Sequence, residues 1–235
     1  MNATFSGFPP ETLQFLRQLK RNNRRDWFLP RKELYDQKVK GPMVQLVEAL
    51  APEVLRIAPE MEVDPKRVIY RIYRDTRFSR DKTPYKTWLA GIFGPRKVAK
   101  HAGAAFYFHL SPEEFLIAGG AYMPGPRELL AMRGHVATHF RKLQSILHDR
   151  QLEKLFGGMD GEQLSRVPKG FSAEHPAGDL LRYKQFLVSV SKEPEFALTS
   201  RLFSELLTHF RAMAPLINFL NAPLLSTSKG DPLLD

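Results

Sequence analysis

Residues 104–122 read AAFYFHLSPEEFLIAGGAY, and they decide the fold. Over 104–110 the bulky side chains alternate. Phe106, Phe108 and Leu110 fall on one side of an extended chain, and Tyr107 and His109 on the other. A second apolar run follows over 115–122. Only Ser111-Pro112-Glu113-Glu114 separates the two, which is a turn and no more. Two strands so joined make an antiparallel hairpin. Gly119 and Gly120 sit inside the second strand, where paired glycines mark a bulge or a close approach of backbone. The functional alternative is a substrate lying against bare backbone.

Working outward, residues 67–74 and 88–93 read as two strands before the hairpin, the second ended by Gly94-Pro95. Phe186, Val188 and Val190 read as a strand after it, which makes about five in all. Helical periodicity covers the rest. Pro9 and Pro10 open a helix that buries Leu13, Leu16 and Leu19. NNRRDWF, residues 22–28, is a helix stop and a new start, with Trp27 and Phe28 anchoring the turn. A helical pattern over 32–57 is divided at Gly41-Pro42 and Pro52. A further helix begins at Pro126 and its pattern ends around Gly157-Gly158, and others run over 179–184 and 195–221. Strands in a block, with helices before and after, argue for an α+β fold with a mainly antiparallel sheet, packed by N-terminal, middle and C-terminal helices. No linker forces a boundary. The expectation is one domain over 1–235, with its core at about 8–221 and a frayed tail at 223–235.

The chain has 235 residues, no cysteine and a formal net charge of +10. Disulfides, cysteine nucleophiles and Fe–S clusters are excluded. The N-terminus lacks a basic region followed by an apolar core, and no apolar run spans a bilayer. The reading is a cytoplasmic basic protein that does not engage a membrane and whose partners are anionic.

The charge is concentrated. Residues 66–86 hold eight Lys or Arg, two Asp and four aromatics, +6 of the total. Arg71, Arg74, Arg77, Lys82 and Lys86 are the candidate ligand-binding cations, because a planar guanidinium grips phosphate or carboxylate through two bonds. Tyr73, Phe78 or Tyr85 could stack on a base. The competing reading pairs Arg74, Asp75, Arg77, Asp81 and Lys82 in an internal network that pins the loop.

Other chemistry is thin. His135 and His139 have the i, i+4 spacing of a helical metal pair but no acidic third ligand, so no metal site and no cofactor is expected. Phosphate-binding and dinucleotide-binding glycine motifs are absent. Ser79 has no base at fixed spacing. His175, beside Pro176, and Asp75 are the acid–base candidates.

Four islands resemble a known family. They are NNRRDWF (22–28), RDTRFSRDKTPYK (74–86), GGAYMPGP (119–126) with Arg133, and PKGFSAEHP (168–176) followed by LLRYK (180–184). In order and spacing they are similar to the bacterial and fungal family called domain of unknown function 2461, over about residues 8–221. The resemblance implies a single α+β domain, in the cytoplasm. It carries over no reaction, cofactor or catalytic residue.

Two functions compete. One is a binding module whose basic loop holds a phosphate-bearing ligand, nucleic acid or nucleotide. The other is a small-molecule enzyme in which the arginines clamp an anionic substrate, Gly119 and Gly120 give backbone access, and His175 or Asp75 moves a proton. The enzyme reading requires loop, glycine pair and His175 to converge. A third is a scaffold whose basic face docks an acidic protein.

Overall fold

The computed structural model describes residues 5–227. Helix α1, Pro10–Arg21, starts on a proline whose missing N–H would have had no partner in a first turn. It buries Leu13, Phe15, Leu16 and Leu19 and ends where the Asn22 side chain donates to the Gln18 carbonyl. Helices α2, Arg25–Phe28, and α3, Lys32–Tyr35, follow, joined by a 3₁₀ turn at Leu29–Arg31. A π-helical turn at Asp36–Lys40 then leads straight into α4, Gly41–Ile57. Pro42 explains that turn. It has no N–H for the Lys38 carbonyl and would crowd it. The freed carbonyl accepts a hydrogen bond from the buried Thr12 hydroxyl of α1. Pro52, in contrast, is absorbed within α4.

The sheet has four antiparallel strands in sequence order: β1, Leu89–Phe93; β2, Ala105–Leu110; β3, Phe115–Ala121; and β4, Phe186–Lys192. The β2–β3 hairpin turns on Ser111, whose hydroxyl accepts the N–H groups of Glu113 and Glu114. Register puts Phe93, Phe106, Gly119 and Val188 in one row, and Gly91, Phe108, Ile117 and Val190 in the next. This inner face is buried. The outer face carries Ile92, Tyr107, Ala118 and Ser189 in one row and Ala90, His109, Leu116 and Ser191 in another.

Among the described residues four more helices follow β3: α6, Pro126–Leu147, kinked at His139; α7, Arg150–Phe156; α8, Gly178–Leu181; and α9, Leu202–Thr227. Helix α9 lies across the inner face of the sheet. Phe210 packs on Phe93 at 6.0 Å and on Phe106 at 4.9 Å between ring centroids. Each such fully buried ring contributes roughly 1.5–3 kcal/mol relative to exposure. No helix of the described residues is long and apolar enough to cross a membrane.

Sequence expectations are corrected at several points. The helical pattern from Pro126 to about Gly157 is divided into α6 and α7, because Asp149 accepts the Gln151 and Leu152 N–H groups and starts a new helix. Residues 67–74 are not a strand. Asp64 accepts the Lys66 N–H and starts a helical turn, α5, Pro65–Val68, and the chain then touches β1 only through an isolated bridge between Ile69 and Gly91. Of the two readings of the glycine pair, the bulge fails, since the register runs through them unbroken, and the close approach of backbone holds at Gly120 against the Phe186 carbonyl. The last helix does not end at 221. It runs through Pro223 to Thr227, with Leu224 packed on the core, and the rest of the expected tail, 228–235, lies outside the described residues. At its start, a 3₁₀ turn at Pro194–Leu198 stands where the helix was expected to begin.

Candidate anion-binding groove

Residues 72–86 form an arm rooted beside β1. Arg74 N–H donates to the Pro84 carbonyl at 2.9 Å, and Lys86 N–H to the Ile72 carbonyl at 2.7 Å. Between them Tyr73 bridges Tyr85. The NNRRDWF island fixes this root. Asn23 exchanges two hydrogen bonds with the Tyr85 backbone, at 2.8 and 3.0 Å, and Phe28 stacks on the Tyr85 ring at 4.1 Å. Tyr85 is therefore buried core, not a ligand-facing ring.

Beyond its root the arm is braced by its own charges. Arg74 donates to the Asp81 carboxylate and the Thr83 hydroxyl. Arg77 grips Asp75 through Nε at 3.0 Å and a terminal nitrogen at 2.7 Å. These guanidinium bonds hold the carboxyls of Asp75 and Asp81 down at about 2. Lys82 donates to the Thr76 carbonyl at 2.9 Å. Three of the five expected ligand cations, Arg74, Arg77 and Lys82, thus have partners inside the arm.

The other two belong to a different cluster. Lys86 donates to the Arg71 carbonyl at 2.7 Å, and Lys100 to the Arg67 carbonyl at 2.9 Å. Both ammonium groups lie over the Tyr70 ring, at 5.4 and 4.7 Å, and Lys86 also lies 5.4 Å from the Trp88 ring. Arg71 projects from the same stretch with no carboxylate in ion-pair range among the described residues. Burial pushes the Lys86 amine below its usual range, and repulsion from Arg71, Lys100 and Arg74 adds to that. Lys100 shifts the same way through burial and Arg71. The three cations line a groove of about 590 Å³ with Lys66, Tyr70 and His101.

His101 holds the groove's far wall. Its φ of 74° is left-handed, a conformation uncommon for a residue with a side chain. The ring stacks on Tyr70 at 5.7 Å between centroids, with the phenol oxygen 3.3 and 3.4 Å from its two nitrogens. Burial and Lys100 keep the imidazole below its usual range, hence neutral near pH 7. Burial drives the Tyr70 phenol up to about 12.

The structure does not bring the remaining candidates to this groove. Gly119 faces α9, where an added Cβ would stand 2.0 Å from Met213 Sδ. Gly120 has φ 119°, and a Cβ there would meet the Phe186 carbonyl oxygen at 2.0 Å. Both glycines serve packing. His175 contacts Phe140 of α6 at 6.1 Å and accepts the Ala177 N–H on Nδ1. Asp75 does line the groove, but bound to Arg77. The His135 and His139 rings lie 4.5 Å apart between centroids, tilted by 51°, and no cluster of three metal-ligating residues occurs among the described residues.

Sequence reasoning missed Lys66, Tyr70, Trp88, Lys100 and His101. Lys100 and His101 lie in the 95–103 loop, which shows no periodicity. The only local hint is the basic run Arg96, Lys97, Lys100 and His101 before Gly103. On the sheet's outer face Tyr107 stands 3.1 Å from His109 Nδ1, and His109 Nε2 stands 3.3 Å from Glu114. His109 is a hydrogen-bonded, half-buried histidine there.

No curated protein and no solved structure matches the chain. A family model does match, over residues 11–219, and the family is described as conserved hypothetical protein, DUF2461. That span includes the asparagine–aromatic root, the braced arm, the cationic groove, the glycine pair packed under α9 and the His175 loop. The chain belongs to this family of conserved hypothetical proteins, DUF2461.

Proposed function

We propose that the protein is a binding module for a phosphate-bearing ligand, nucleotide or nucleic acid, seated in the groove of Arg71, Lys86 and Lys100. One observation carries this. Three cations converge beside Tyr70, the ammonium groups of Lys86 and Lys100 bonded to backbone carbonyls, and none of the three has a carboxylate in ion-pair range among the described residues. Like charges held together raise the energy of the folded state, and an anion relieves that cost. The aspartates of this region are spent on Arg74 and Arg77, so they brace the arm and leave the groove positive. The cytoplasm, where nucleotides and nucleic acids are held, is the place of work this reading takes.

The test is a thermal melt with pyrophosphate at constant ionic strength. The wild type should be stabilised in a saturable manner. Arg71→Gln combined with Lys100→Gln should melt no lower than the wild type without ligand and lose the response. Equal stabilisation of both proteins would sink the proposal.

A second reading, an enzyme acting on an anionic substrate, is favoured by the neutral His101 on the groove wall, a better-placed base than His175. Turnover of a phosphate ester that His101→Gln abolishes without loss of pyrophosphate binding would select it.

A further inference from the structure

We propose that the groove's occupant is a single-stranded nucleic acid, and that the arm at 75–83 is a finger whose tip, Phe78, stacks on one of its bases. The proposal rests on the phosphate-groove reading and names its ligand.

The groove is too extended for one phosphate. Lys66, Lys100 and His101 form one end of it and also line a second groove of about 310 Å³, where Arg96 donates to the Pro59 carbonyl and Arg67 is paired with Glu62 at 3.1 Å. Lys66 and Arg71 also line a third, together with Lys40, Glu48 and Asp64. Cations therefore continue past the sheet edge in a track, which suits a linear polyanion.

The other end of the main groove is lined by Thr76 and Arg77, and Phe78 is the next residue. Its side chain is 96 % exposed. An isolated exposed apolar residue carries no argument by itself. This one stands on a scaffold that holds its shape without packing on the body of the protein: Asp75 with Arg77, Arg74 with Asp81 and Thr83, and Lys82 on the Thr76 carbonyl. The braced tip presents a bare ring between Arg77 and Arg80. The Arg77 guanidinium lies 5.8 Å from the ring centroid, which leaves the ring as the open surface at the end of a cationic track. Aromatic faces interleaved with cations along one path are what single strands bind, since every base offers a face to stack and every linkage a charge. A duplex would keep its bases from the finger.

Binding is read by fluorescence anisotropy with a labelled oligonucleotide of about 12 residues, its abasic counterpart of equal length and charge, pyrophosphate, and anionic lipid vesicles. The wild type should bind the oligonucleotide more tightly than pyrophosphate, with affinity falling as salt rises. Phe78→Ala and Phe78→Leu should each lose roughly 5- to 150-fold on the intact strand, the range for one lost base stack, and nothing on the abasic strand. Phe78→Trp should keep affinity, with its fluorescence quenched on binding. All three should melt like the wild type, since the side chain touches no core. Wild-type affinity in Phe78→Leu, an equal loss on the abasic strand, or a Phe78-dependent preference for vesicles would overturn the finger. Pyrophosphate binding without tighter oligonucleotide binding would overturn the nucleic-acid assignment and leave the groove reading standing. Binding of neither would end both.

Discussion

The side-chain amide of Asn221 closes two hydrogen bonds on the backbone of Ala104. Its oxygen accepts the Ala104 N–H at 2.8 Å and its nitrogen donates to the Ala104 carbonyl at 2.9 Å. Both residues are fully buried. The contact ties α9 to the chain just ahead of β2, across 117 positions of sequence. Asn221→Ala leaves a buried N–H and a buried carbonyl unpaired. Each such group costs about 1–3 kcal/mol, so the variant should lose about 2–6 kcal/mol. Urea denaturation checks this: the midpoint should fall with the slope unchanged.

The glycine pair should separate into two kinds of constraint. In Gly119→Ala the new Cβ meets the side chain of Met213, which can be shortened. In Gly120→Ala it meets the Phe186 carbonyl, which cannot, and the positive φ adds strain. Gly119→Ala should cost about 1–3 kcal/mol and be partly rescued in combination with Met213→Ala. Gly120→Ala should cost more and show no rescue. Thermal melts of the four single and double variants decide it. Equal behaviour of the two sites would mean that neither is set by its neighbour.

These two cases also show what a sequence can and cannot display. The hairpin was legible because its information is local: alternation over 105–110, and a serine whose own hydroxyl caps the turn. The helices were legible by period, and the α4 boundary by Gly41-Pro42. The strand expected at 67–74 was not there, because Pro65 after Asp64 made a helical start that outweighed the β-branched residues following it. The meaning of Gly119 and Gly120 depended on Met213 and Phe186, far along the chain. The groove was half legible. Arg71 and Lys86 lie in the conspicuous charged stretch, but the residues that complete their site, Lys100 and His101, arrive from a loop about 30 positions away with no pattern of their own. Sequence also could not say which cations were already paired. Asp75 and Asp81 decide that by geometry alone.

The arm's brace should titrate. Asp81 is held at about 2 first by its bond to Arg74, with the Thr83 N–H and hydroxyl adding to it. A carboxyl depressed below its unfolded value stabilises the form that uses it above that unfolded value, near 3.9. The contribution is lost as pH falls through about 2. Carboxyl chemical shifts should therefore report an Asp81 midpoint near 2 in the wild type and a clear rise toward the ordinary aspartate range in Arg74→Ala. Asp75, paired with Arg77, should not move in that variant. If Asp81 titrates normally in the wild type, the brace does not form.

The cationic cluster predicts a rise of stability with pH from the opposite cause, a charged form that destabilises. Lys86 is depressed first by burial and then by Arg71, Lys100 and Arg74. An amine depressed below its unfolded value is a liability while it is charged. Stability should therefore rise as pH climbs from the depressed value to the ordinary lysine range near 10.4. Arg71→Gln removes the nearest repulsion and leaves the burial, so the Lys86 amine should recover part of its shift. Acetylation of lysines across a pH series, read by mass spectrometry of peptides, measures this directly. Lys86 should react at lower pH than surface lysines in the wild type, once rates are normalised for access, and later in Arg71→Gln. Added salt should raise the wild-type melting temperature more than that of Arg71→Gln, because salt screens a repulsion only one of them has. If Arg71→Gln melts lower and leaves Lys86 unchanged, then Arg71 is a structural residue and the groove is not a site of unneutralised charge.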